Sequence, residues 1–99
     1  MKKAYAILCA LLLLSLPACA PPAADASLKR VREKGVLVVG IDETFKPLSY
    51  KDENGNFVGF DIDMAGAVCV EMGVKLAIQP IRWENVTQCL KNGCVDCVW

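Results

Sequence analysis

The chain has 99 residues, 55% of them apolar, with eleven basic and eleven acidic side chains, six cysteines and no histidine. Without histidine there is no Ser-His or Cys-His nucleophile system and no His-ligated metal, and the even charge leaves no basic patch of the kind a phosphate backbone demands, so nucleic acid is not an expected partner. Sixteen of the first 20 residues are apolar. The remainder has the apolar share of an ordinary globular domain, so the positive mean hydropathy originates in the N-terminal stretch. Past residue 18 there are nine basic against eleven acidic side chains, and about 65 residues are left for a core, near the lower limit for independent stability.

Lys2 and Lys3 precede an apolar run from Ala4 to Leu16 that only Ser15 interrupts. The run is too short to cross a bilayer as a helix and has the make-up of an export signal, assigned to residues 1–18. Leu16-Pro17-Ala18-Cys19 resembles the lipobox of bacterial lipoproteins, with Cys19 as the lipidated residue, although Pro17 departs from the usual small or β-branched side chain. Ordinary cleavage after Ala20 is the alternative, but it would leave Pro21 just past the scissile bond, and cleavage after Ala26 lies far from the apolar run. Residues 19–27, rich in proline and alanine, read as an extended tether.

Leu28 and Val31 sit three apart among charges before Gly35, which predicts a short helix over Ser27 to Lys34. Val36 to Ile41 is a continuous apolar run without alternation, the pattern of a parallel strand covered on both faces. Leu48 to Tyr50 and Phe57 to Gly59 flank a polar stretch containing Asn54-Gly55, which predicts a hairpin with a tight turn in which both residues take positive φ. Asp61 and Asp63 stand where an N-cap and a first-turn acid belong. Ile62, Ala65, Cys69 and Met72 then mark the inner face of a helix of about three turns that Gly73 ends. Val74 to Ile81 predicts a second strand whose pairing ends at Pro80. Trp83 to Lys91 predicts a second helix with Val86, Cys89 and Leu90 inward, stopped by Asn92-Gly93, and Val95 to Trp99 a third strand. Strand, hairpin, helix, strand, helix, strand is a βαβαβ unit of an open parallel sheet with right-handed crossovers. A chain ending on an aromatic within such a strand would leave an apolar edge unpaired, so the sequence is expected to be part of a longer protein.

Four pieces stand in order along this frame: Gly35-Val36-Leu37-Val38-Val39-Gly40-Ile41-Asp42, Phe45-Lys46-Pro47-Leu48-Ser49-Tyr50, Asn54 to Asp63 with its Gly59-Phe60-Asp61-Ile62-Asp63 signature, and Trp83-Glu84 followed by Gly93-Cys94-Val95-Asp96. Together they resemble the opening third of the bacterial extracellular solute-binding proteins of family 3, the receptors of polar amino-acid ABC transporters. The resemblance implies an α/β, periplasmic-binding-protein-like fold of two lobes that close on an amino acid, with residues 28–99 as an incomplete first lobe and the second lobe missing. It implies a binding protein rather than an enzyme, periplasmic or on the cell surface, anchored to the membrane by lipid if Cys19 is modified. Its partners would be a small polar ligand and an inner-membrane ABC permease, and no metal or other cofactor is expected. At the positions matching the family's pocket, Phe45 and Trp83 would pack on either side of the ligand side chain and Asp42 would meet its polar end. All three follow core strands or their first loops, on one rim. Asp61 reads as a helix cap. Leu48 stands where the family commonly has a larger aromatic, which leaves ligand size open, and the family's anchors for the α-carboxylate and α-ammonium would lie past Trp99, so tight binding by residues 28–99 alone is not expected. Periplasmic cyclohexadienyl dehydratases, the front ends of some lytic transglycosylases and sensory domains share this opening pattern and are the alternatives.

Cys94-x-x-Cys97 invites a metal or redox reading, but on one extended strand those residues would face opposite ways, about 10 Å apart. Cys69 and Cys89 fall on expected inward helix faces, as small hydrophobes. In some relatives the position of Cys69 carries a disulfide to the next strand; here the partner position is Leu76.

Overall fold

The computed structural model describes residues 26–99. The export signal, the lipidation motif at Cys19 and the tether as far as residue 25 lie outside them. Helix α1, Ala26–Lys34, begins one residue before the expected start and buries only Val31, as its charged composition dictates. Its chain leaves at Gly35, whose amide donates to the Val31 carbonyl at 2.9 Å.

Strand β1, Val36–Ile41, follows at the residues the apolar run marks. It is the centre of a parallel sheet. On one side it pairs with β5, Lys75–Pro80, from Val36 opposite Lys75 to Ile41 opposite Pro80; on the other it pairs with β6, Cys97–Val98, through Val39 and Gly40. The Ile81 amide still donates to the Ile41 carbonyl at 2.9 Å, so bonding continues one residue beyond Pro80.

Cover of the sheet is less even than the unbroken run suggests. Leu37, Val39 and Ile41 are buried against Ala65 and Cys69 of helix α2, Phe60–Met72, whereas Val36 and Val38 on the other face are half-buried. The second helix, expected over Trp83 to Lys91, is α3, Val86–Asn92, after a 3-10 turn at Trp83–Asn85, and it buries none of its residues. Leu90, expected inward, is 43% exposed. β6 is short, and it starts at Cys97 rather than Val95, because residues 93–96 form the turn out of α3 and the approach to the sheet. Val95 is buried there, and Asp96 exchanges hydrogen bonds with Val38: its amide donates to the Val38 carbonyl and its Oδ2 accepts from the Val38 amide, both at 2.8 Å. Lys34 Nζ closes on the same carboxylate at 2.8 Å, tying α1 to the β1–β6 seam.

Between β1 and α2 the chain makes a small antiparallel sheet of three strands: β2, Thr44–Phe45; β3, Ser49–Lys51; and β4, Phe57–Val58. The hairpin expected from residues 48–59 is its β3–β4 half, while β2 has no sequence signal at two residues in length. The turn is wider than a two-residue one. Asn54 does not take positive φ; instead Asp52 Oδ1 accepts the amides of Asn54 and Asn56 at 2.9 and 2.8 Å, and only Gly55 turns left-handed.

The junction of this sheet with α2 depends on Gly59. Its φ of 126° and ψ of 174° lie in a region that only glycine occupies at low cost. An added Cβ would run into the Leu48 carbonyl oxygen and come within 2.8 Å of the Pro47 carbonyl oxygen. The close approach lets the first amides of α2 reach that loop: Phe60 donates to the Pro47 carbonyl at 3.3 Å and Asp61 to the Leu48 carbonyl at 2.9 Å. Those amides would otherwise be orphans of the helix start. Among the described residues no helix is long and apolar enough to cross a membrane.

Gly59→Ala should therefore cost about 3 kcal/mol or more, from backbone strain and collision with carbonyl oxygens. Gly66→Ala, inside α2 where an added Cβ meets nothing within 4 Å, should instead gain about 0.5–1 kcal/mol. Urea denaturation midpoints of the two variants moving in opposite directions would support this account of the junction; equal midpoints would oppose it.

Candidate functional site

Three parallel strands deliver their following residues to one edge of the sheet. Asp42 follows β1, Trp83 follows β5 by three residues and Trp99 follows β6. Because the helices run back against the strands, the first turn of α2, with Asp61, reaches the same edge. The small sheet completes the enclosure, with Phe45 at the end of β2 paired to Ser49 at the start of β3. Together Asp42, Phe45, Ser49, Asp61, Trp83 and Trp99 line a cleft of about 440 Å³.

All three positions expected from the sequence, Asp42, Phe45 and Trp83, stand on this one cleft. Phe45 is 57% and Trp83 63% exposed, so neither ring is spent on the core. Asp42 is partly engaged in its own loop. Its Oδ1 accepts from the Thr44 hydroxyl at 2.7 Å and the Thr44 amide at 2.8 Å, while Oδ2 has no hydrogen bond among the described residues. Those two bonds, the hydroxyl's first, hold the Asp42 carboxyl below the usual carboxylate range, so it is an anion at neutral pH. Ser49, 1% exposed, donates from Oγ to the Asp42 carbonyl at 2.6 Å and fixes where β1 ends relative to β3.

Asp61 is not the helix cap the sequence pattern suggests. Gly59 occupies the N-cap position, no side chain caps the helix, and the loop carbonyls of Pro47 and Leu48 take the first amides, which leaves the Asp61 side chain on the cleft. Ser49, Asp61 and Trp99 were not singled out as site residues by the sequence. Trp99 had a usable signal, since it follows the third parallel strand as Asp42 follows the first; for Ser49 none is evident. On the far side of Trp83 a second, shallower hollow of about 410 Å³ runs over Asp42, Thr44, Arg82 and Glu84, where Arg82 Nε is held by Glu84 Oε2 at 3.3 Å.

The cysteines take no part in the cleft. Cys69 is buried and Cys97 half-buried, and burial pushes both thiols up from their ordinary range. Cys94 lies in the turn after α3 and not on a strand, so the strand geometry assumed for Cys94 and Cys97 does not apply. Among the described residues no group of three or more cysteine, aspartate or glutamate side chains could hold a metal.

The profile of the bacterial extracellular solute-binding proteins, family 3, matches residues 37–99. A cyclohexadienyl dehydratase of Pseudomonas aeruginosa is 41% identical over 64 residues, which are 65% of this chain and 24% of that protein. The L-cystine-binding protein TcyJ of Escherichia coli is 30% identical over 71 residues, 72% of this chain and 27% of that protein. Among solved structures, the arginine-bound form of domain 1 from TmArgBP superposes with a TM-score of 0.63 at 33% identity, covering 67% of this chain and 52% of that one. The chain thus spans about a quarter of the length of the curated relatives it matches.

The lowered Asp42 pKa has a directional consequence. The stabilisation that the Thr44 bonds give the loop is present above the ordinary carboxylate value of 3.8 and is lost as pH falls through the lower folded-state value. Thr44→Val removes the stronger of the two causes, so the Asp42 carboxyl carbon, followed by NMR, should titrate closer to 3.8 than in the parent chain. An unchanged midpoint would mean that the hydroxyl bond does not hold the carboxylate.

Proposed function

Because the chain belongs to the bacterial extracellular solute-binding proteins of family 3, we propose that it is the ligand-capturing component of an amino-acid ABC transporter, that its ligand carries a cationic side chain, and that it delivers this ligand to an inner-membrane permease. The composition of the cleft carries the proposal: three aromatic rings, two carboxylates and no lysine or arginine among its six lining residues. Phe45 and Trp83 stack on the methylene stem of the ligand, and a cationic group over either ring adds about 1–2 kcal/mol. Asp42, an anion with Oδ2 open, accepts from the far end of the side chain. An acidic ligand meets like charge in the same place. The arginine-bound form of a single domain in a structural relative is in keeping with a ligand held on this edge of one lobe. Residues 28–99 belong to the first of two lobes; the protein is exported through residues 1–18 and anchored by lipid at Cys19.

The dehydratase among the relatives favours a second reading, an enzyme that removes water from a cyclohexadienyl compound. Such a step needs a group that is protonated near neutral pH to give its proton to the leaving oxygen. Among the described residues, Asp42 is held below the usual carboxylate range and does not suit that role, and the catalytic groups of such an enzyme would lie mostly beyond residue 99. Binding without turnover is the better match to these residues.

Calorimetric titration with arginine, lysine, glutamine and glutamate tests the choice. Arginine or lysine should bind and glutamate should not; Phe45→Ala and Trp83→Ala should each weaken binding about tenfold or more, a loss of at least ~1.4 kcal/mol. Asp42→Asn should erase the preference for a cation over glutamine. Both rings are exposed, so circular dichroism should be unchanged in these variants. Binding of glutamate in preference to arginine would refute the proposal, and dehydration of a cyclohexadienyl compound to an aromatic product would establish the enzyme instead.

A further inference from the structure

All three described helices are followed by a glycine, and two of them, α2 and α3, end by the same device. At the end of α2 the Val74 amide donates to the Cys69 carbonyl at 3.0 Å and the Gly73 amide to the Val70 carbonyl at 3.1 Å. At the end of α3 the Cys94 amide donates to the Cys89 carbonyl at 2.9 Å and the Gly93 amide to the Leu90 carbonyl at 3.4 Å, with Gly93 at φ 74°. This paired six-to-one and five-to-two bonding is the Schellman motif, and it brings together the side chains of the two residues joined by the longer bond. Normally both are hydrophobes. At α2 they are Cys69 and Val74; at α3 both are cysteines. The neighbouring Cys94 side chain, followed by burial, pushes the Cys89 thiol up from its ordinary range.

A disulfide requires Cα atoms about 4.4–6.8 Å apart and side chains directed at each other. The direct backbone hydrogen bond between the two residues, at the two positions whose side chains a Schellman turn brings together, is compatible with both requirements. Cys94 is exposed and open to reagents, and Cys89 is half-buried beneath it. The other described pair is differently placed: Cys69 is buried in the core and Cys97 packs against that core from β6. Family membership puts the protein outside the cytosol, where disulfides form and persist.

We propose that Cys89 and Cys94 are a disulfide site, a covalent clasp across the C-terminal turn of α3. The oxidant is a disulfide-bearing partner, a small-molecule or protein disulfide. The exposed Cys94 thiolate attacks one sulfur of that partner, forming a mixed disulfide and releasing one thiolate. Cys89 then gives up its proton to solvent, and its thiolate attacks the Cys94 sulfur and displaces the second thiolate. Two protein thiols are oxidised and one partner disulfide is reduced to two thiols. The clasp closes the corner between Trp83, just before α3, and Trp99, just after β6, so it braces the segment whose two ends carry the tryptophans of the cleft.

The test is peptide mapping of the whole 99-residue chain after incubation with excess oxidised glutathione, alkylation of remaining thiols and trypsin digestion without reduction. The proposal predicts peptide Trp83–Lys91 joined to Asn92–Trp99 in most chains, with fragmentation of the pair placing the bridge at Cys94. Cys94→Ser should lose the linked pair and Cys97→Ser should keep it. The same incubation in concentrated urea should yield a smaller linked share, because the turn that apposes the two thiols is gone. A bridge at Cys97, a bridge to peptide Ala4–Lys29 with Cys9 and Cys19, alkylated Cys89 in the native chain, or an equal linked share in urea would each overturn it.

Discussion

Parallel pairing of β1 on both of its edges is the constraint from which the rest of the described structure follows. Val39 is fully buried and Ile41 nearly so, and the strand pairs along its whole length with β5 and at Val39 and Gly40 with β6. A parallel neighbour cannot be reached by a short turn, so the chain must cross over between β1 and β5, and again between β5 and β6. α2 and α3 lie in those crossovers. The same parallel sense sends the chain out of all three strands at one edge, and that edge is where Asp42, Trp83 and Trp99 stand. Fold and cleft are thus two results of one pairing.

The small antiparallel sheet gives the edge its depth. Inserted between β1 and α2, it carries Phe45 over the strand ends and is held at three places: by Ser49 on the Asp42 carbonyl, by Thr44 on the Asp42 carboxylate, and by the amides of Phe60 and Asp61 on the Pro47 and Leu48 carbonyls. The third contact exists only because residue 59 has no side chain. The Gly-Phe-Asp-Ile-Asp signature is accordingly a packing requirement at its glycine. At its first aspartate it supplies an acid to the cleft, because backbone carbonyls have already satisfied the helix amides that an aspartate cap would have served.

What the sequence reveals tracks how local the determining force is. Val36 to Ile41 is readable because a continuous apolar run without alternation admits few alternatives to a central parallel strand, and the glycine stops at 35, 73 and 93 are readable because each ends a periodic segment. The family resemblance places Asp42, Phe45 and Trp83, and their meeting on one rim follows from strand direction. Other features depend on partners distant in sequence. β2 is two residues long and exists because Ser49 and Tyr50 pair with it. Leu90 has the spacing of an inward residue, yet exposure depends on what packs against α3, which no local pattern encodes. The wide turn at residues 52–56 turns on one aspartate side chain, which took the amides that a tight Asn-Gly turn would have arranged otherwise. The place of Cys94 depends on a similar effect: the glycine stop at residue 93 is legible, but the turn it imposes before the strand can begin at Cys97 is not.

The central claim is that the carboxyl-end cleft between β1, β5 and β6 receives a cationic amino acid. Both tryptophans of the chain, Trp83 and Trp99, line that cleft, so intrinsic tryptophan fluorescence reports on it. Titration with arginine to about 50 mM, enough to detect even millimolar binding, should give a saturable change in tryptophan emission that glutamate at equal ionic strength does not produce. No change with arginine, or the same change with glutamate, would contradict the assignment.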